Sequence, residues 1–136
     1  MVTLNYTVPV APVTKKNSQQ ILTNPKNGRP FIVPSKAYKE YEDKAGWFLK
    51  PRPVKPISEP VQVKCLFYMP THRRVDLNNL LSAATDVLVK HKILADDNCE
   101  IIVSHDGSRV LYDKANPRTE IEISPMETEN KQLTML

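Results

Sequence analysis

The sequence predicts an α+β fold, a single small domain in which a mixed β-sheet carries two main helices. Three observations lead there. Runs near both ends and the middle of the chain alternate apolar with polar residues, the period of a strand with one buried face. Two other runs place apolar residues at i, i+3 or i+4 and i+7, the period of a half-buried helix. The chain has 136 residues, 40% of them hydrophobic and 25% charged, which suits one core and leaves no room for a second domain.

Taken in order, Val2, Leu4, Tyr6 and Val8 alternate with Thr3, Asn5 and Thr7, a strand that Pro9 and Pro12 end. From Pro12 to Pro34 the chain is rich in basic and amide residues and in proline, which reads as a long loop or an irregular hairpin turning at Asn27-Gly28. Ser35 is a candidate N-cap for a helix over Lys36 to Leu49, with Ala37, Tyr41, Ala45 and Phe48 on its apolar side. Prolines at 51, 53, 56 and 60 follow, a stiff connector. Val61, Val63, Cys65 and Phe67 then form a second alternating strand running to Met69-Pro70. Asp76 caps a second helix whose stripe is Leu77, Leu80, Leu81, Ala84 and Leu88. The run Cys99 to Asp113 reads as a hairpin joined at Asp106-Gly107, and Thr119, Ile121 and Ile123 mark a last strand. This places the domain at residues 1–124, with 125–136 as a flexible tail.

Bulk properties narrow the function. No apolar run approaches the roughly 20 residues of a membrane span, and no signal-peptide pattern opens the chain, so a cytoplasmic protein is expected. Cys65 and Cys99 have no CxxC partner, which argues against zinc or a disulfide framework and reads as two core thiols in a reducing compartment. The net charge of +4 is unevenly spread: residues 1–75 hold 13 Lys/Arg against 4 Asp/Glu, and residues 76–136 hold 6 against 11. A polyanion grip in one part and a carboxylate site in another would produce this pattern, as would a merely solvated surface.

The chemistry-bearing segment is RRVDLNNLLSAATDVLVKHKILADD, Arg73 to Asp97. Two arginines precede Asp76, Asp86 lies inside the helix on one face with Asn79 and Ser82, and Asp96-Asp97 follows the helix. If the chain turns back after Ile93-Leu94, the four carboxylates approach one another and form an oxygen-lined site for a hard cation such as Mg²⁺. Such an ion would neutralise charge in phosphodiester hydrolysis, with Arg73 and Arg74 on flanking phosphates. Each residue also has a plain structural role open to it: Asp76 as N-cap, Asp86 as a solvated helix residue, and Asp96-Asp97 as a turn.

The pattern Asp76-Leu77-x-Asn79-Leu80, then Asp86, then Asp96-Asp97 before a strand, resembles the RusA family of Holliday junction resolvases. The resemblance runs in outline from the first strand through Arg118-Thr119-Glu120-Ile121, and its specific part is Arg73 to Asp97, including the 11-residue step from Asp86 to Asp97. It implies a RusA-like fold and a small homodimeric endonuclease, often prophage-encoded, that cuts four-way DNA junctions with Mg²⁺ or Mn²⁺ in recombination and repair. Asp76 matches the family's first motif aspartate and Asp97 its distal metal-site aspartate, with Asp96 beside it. Two positions depart from the pattern. Asn78 stands where the family commonly has a second aspartate, and Ser82 where many relatives have a lysine. The catalytic set is therefore Asp76, Asp97, Asp96, Asp86 and Asn78, the metal set its four aspartates, and the DNA-binding set Arg73, Arg74, Asn79, Ser82, Lys15, Lys16 and Asn17. Lys26 and Arg29 are further phosphate candidates.

Three functions follow: a metal-dependent junction nuclease, a junction-binding protein without efficient cleavage, and a cation-stabilised structural domain. The expected partners are branched DNA and a second copy of the chain, with neither a membrane nor a small-molecule cofactor. Trp47, Phe48 and Leu49 are candidates for the dimer interface or for the core.

Overall fold

The computed structural model describes residues 2–15 and 19–126. Its elements in chain order are β1 (Leu4–Val8), β2 (Gln19–Thr23), β3 (Pro30–Pro34), α1 (Lys36–Phe48), β4 (Val61–Met69), α2 (Leu77–Lys90), β5 (Ile102–Ser104), β6 (Arg109–Tyr112) and β7 (Arg118–Pro125). The main sheet has the order β1-β7-β4-β5, and β6 also pairs with β4. β7 runs antiparallel to both β1 and β4, while β5 and β6 run parallel to β4, so the sheet is mixed.

Alternation on β4 explains the layering. Val61, Val63, Cys65 and Phe67 are all buried, and Gln62, Lys64, Leu66 and Tyr68 point to the half-open face. Ile121 and Ile123 of β7 and Tyr6 and Val8 of β1 share the buried side. The helices close over it: Tyr38, Tyr41 and Ala45 from α1, and Leu80, Ala84, Val87 and Leu88 from α2. No helix among the described residues is long and apolar enough to cross a membrane.

Both helix starts match the sequence reading. Ser35 caps α1 by accepting from the Tyr38 N–H at 3.1 Å, and Asp76 caps α2 by accepting from the Asn78 N–H at 2.9 Å. The buried side of α1 differs from the expectation in that Ala37 is exposed and Tyr38 is 1% exposed in its place. Leu49 is fully buried, whereas Trp47 is 72% and Phe48 38% exposed, so the three residues divide between core and surface. Lys90 on α2 joins Glu42 and Asp43 of α1, and His91 Nε2 lies 2.8 Å from the Glu42 carbonyl.

Three expectations are corrected. β5 and β6 do not form a hairpin: both run along β4 in the same direction, at its start and its end. Asp106-Gly107 makes a turn between them, with Gly107 at φ 86°, the Ser108 N–H on the His105 carbonyl, and Ser108 Oγ accepting from the Cys65 N–H at 2.9 Å. The Ser108 side chain bonds β4 across this turn, and β6 continues along β4 in the direction of β5, where a hairpin would reverse it. β1 begins at Leu4, leaving Val2 74% exposed. Pro125 belongs to β7, and the Met126 N–H bonds the Pro60 carbonyl; residues 127–136 lie outside the described residues.

The reading of Pro12 to Pro34 resolves to its hairpin alternative. β2 and β3 pair antiparallel, with Gly28 at φ 69° in the turn, and Ile21 and Ile32 sit opposite each other, both exposed.

The cysteines differ from the expectation of two core thiols: Cys65 is buried and Cys99 exposed. Burial pushes the Cys65 thiol up to about 12, so it stays protonated and unreactive in the folded protein. A thiol reagent at pH 8 should modify Cys99 alone in native protein and both thiols in denaturant. Two modifications without denaturant would contradict the buried placement of β4.

Candidate functional site

Pro70 ends the β4 ladder, because proline has no N–H to donate, and the chain curls through Thr71 to Val75 before α2 starts. Arg73 and Arg74 are exposed on this curl, and neither is in an ion pair among the described residues. Asp76 follows directly. One of its oxygens accepts from the Asn78 N–H at the start of α2. The Asn78 side chain is exposed on the first turn.

Further along α2, Asn79 is half-buried, Ser82 exposed and Asp86 half-buried, on the face that the segment before β2 approaches. Lys15 of that segment sets its Nζ 2.8 Å from Asp86 Oδ2, and the same ammonium lies 6.0 Å from the Tyr38 ring centroid. Asp86 is thus already matched by a cation of the chain itself. Lys16 and Asn17 lie outside the described residues. Lys26 and Arg29 flank Gly28 at the exposed hairpin tip.

Asp96 and Asp97 come after α2. The Ile93 and Leu94 N–H groups both bond the Leu88 carbonyl, and Lys92 takes φ 65°, so the helix closes with a tight reversal. Leu94 then bridges Ile57, and the Ala95 N–H bonds the Ile57 carbonyl. This ties Asp96 and Asp97 beside the entry to β4. Asp96 Oδ1 accepts from the Asp97 N–H at 2.8 Å and Oδ2 from the Asn98 side chain at 3.0 Å. The Asp97 N–H first, and then the Asn98 amide, hold the Asp96 carboxyl below the usual carboxylate range. Asp97 is exposed beside it.

The structure therefore does not gather the four aspartates within one chain. Asp76 stands at the N-terminus of α2, a helix of 14 residues and about 21 Å in length, and Asp96-Asp97 follow the reversal at its C-terminal end. Among the described residues no group of three or more His, Cys, Asp or Glu side chains is placed to hold a metal ion. The reversal docks the apolar run Ile93-Leu94 on Leu88 and Ile57, which holds Asp96-Asp97 at this end of the helix.

Two features escaped the sequence reading. His72 stacks on Tyr112, ring centroids 3.8 Å apart at 19°, and Arg118 lies 3.7 Å over the Tyr68 ring while paired with Asp113 and Glu120. The first depends on the parallel register that puts Tyr112 beside Met69, which nothing local in the sequence reveals.

Arg73 and Arg74, in no ion pair among the described residues, thus lead through Val75 to the exposed Asp76 carboxylate at the α2 N-terminus. The chain belongs to the endodeoxyribonuclease RusA family, whose model matches residues 9–124. It is accordingly an endonuclease of the family that resolves Holliday junctions. No curated protein matches the chain.

Proposed function

We propose that the protein is a homodimeric, divalent-metal-dependent junction resolvase acting in DNA recombination and repair in the cytoplasm, with Asp76 and Asp97 as its principal metal ligands. The observation that carries the reading is the exposed Arg73-Arg74 segment, in no ion pair among the described residues, opening on Asp76 in a chain of this family. Asp76 and Asp97 offer hard oxygen donors of the type Mg²⁺ or Mn²⁺ prefers. One chain holds them at opposite ends of α2, so a second copy supplies the missing end: Asp76 of one protomer works with Asp97 of its partner. A C₂ dimer repeats this pairing twice, matching the two strands that must be cut across a two-fold junction. A divalent ion held between them supplies charge neutralisation on the scissile phosphate and a more acidic bound water.

The remaining residues act without the ion. Arg73 and Arg74 fix the strand by forked contacts to phosphate, which carry position more than sequence. Asp96 stiffens the turn that presents Asp97, since both its oxygens are engaged locally. Asp86, neutralised by Lys15, fastens the segment before β2 to α2. Asn79 and Ser82 on the same helix face are positioned for DNA contact.

The test is cleavage of a synthetic four-way junction with Mg²⁺, with Mn²⁺ and with chelator, against a linear duplex of the same sequence. Paired symmetric nicks on the junction, lost with chelator, are expected. Junction binding without cleavage in either metal would replace this reading with that of a binding protein.

A further inference from the structure

The curl after β4 holds an arrangement that the metal site does not use. Pro70 releases the chain from the ladder, and the next residues fold over the end of β6, laying the His72 ring on Tyr112 at 3.8 Å between centroids and 19° between planes. Both residues are exposed, Tyr112 at 44%, and Val110 beside them is 37% exposed. Two rings stacked in water, with an apolar neighbour left open, present a flat face unlike the buried aromatics of the core. The stack lines an open hollow of about 380 Å³, within the roughly 300–1,000 Å³ of ligand sites. Arg73 and Arg74 line it too, with no carboxylate among the described lining residues. Its wall ends at Val75, the residue before Asp76.

A flat aromatic face beside two guanidinium groups that make no ion pair among the described residues fits a ligand that has a π-face and an attached anion. A nucleotide within a DNA strand has both. Resting on the proposed junction activity, we infer that His72 and Tyr112 form a stacking platform for an unpaired nucleobase of the substrate, with Arg73 and Arg74 on its flanking phosphates. A base that is already unpaired costs least to unstack. The platform takes such a base out of the branch and sets the strand's register relative to Asp76. Stacking is tolerant of base identity, so the platform selects unpaired geometry and not sequence.

The experiment places 2-aminopurine at successive positions around the crossover of a four-way junction, and separately within a single-stranded oligonucleotide, and reads its fluorescence with full-length protein in chelator. One junction position should change on binding. Tyr112→Ala should abolish that change and weaken binding roughly ten-fold, while Tyr112→Phe keeps both. Both rings are exposed, so the alanine variant leaves the core intact. Tight junction binding with a fluorescence response identical in wild type and Tyr112→Ala would overturn the platform and leave the resolvase reading standing. A Tyr112-dependent response on the single strand with no preference for junctions would support the platform and defeat the resolvase reading. No binding to either DNA would overturn both.

Discussion

Protein carrying Asp76→Asn or Asp97→Asn should bind four-way junctions as wild type does but cut them on the order of 10²–10³-fold more slowly, since a lost metal ligand forfeits several kcal/mol of charge stabilisation. Asparagine is the right replacement at both sites. At position 76 it caps a helix as well as aspartate does, so α2 keeps its start and the loss is chemical. The decisive step is to mix the two inactive proteins. With each site built from Asp76 of one protomer and Asp97 of the other, a mixed dimer has one doubly damaged site and one intact site. Random exchange makes roughly half the dimers mixed and restores about a quarter of the wild-type sites, seen as single nicks and few paired cuts. With each site built from one chain, the mixture stays inactive. Nicking by the mixture, absent from either variant alone, is the expected result, and its absence would sink the shared site.

That expectation exists because a local sequence reading and a tertiary placement disagree. The Asp76 and Asp97 positions were legible as residues: a cap signature before an apolar stripe marks one, and an aspartate pair before a strand marks the other. Their separation was not legible. It depends on Ile57, in a proline-rich connector with no periodicity, capturing Leu94 through a single bridge. The β5–β6 segment failed for a related reason. Asp-Gly permits a hairpin turn, but the partner of each strand is decided by β4, whose apolar residues at 61, 63, 65 and 67 make it the central strand. The basic half of the chain is also divided in use: Lys15 serves Asp86, while Arg73 and Arg74 stay unpaired among the described residues.

The second large effect is on stability, at Leu88. Its side chain is fully buried between α2 and the sheet, and its carbonyl takes the N–H groups of both Ile93 and Leu94, at 2.9 and 3.2 Å. Leu88→Ala should cost about 2–5 kcal/mol, the lost transfer energy plus the cavity left behind. Against a total of roughly 5–15 kcal/mol for a domain, this moves the urea midpoint far while leaving the slope unchanged. The consequence reaches the site, because Ile93 and Leu94 are fastened to the same turn and lead directly to Asp97. Their own side chains are buried, at 0% and 1% exposure, so a cavity at Leu88 lets that reversal shift before the rest of the core does. Cleavage by Leu88→Ala should therefore fall at temperatures where circular dichroism still reports folded protein, whereas a truncation at Phe67, equally buried on β4, should lose activity only as the fold is lost. Coincident loss of activity and structure in both variants would show that Leu88 holds the core alone and does not position Asp97.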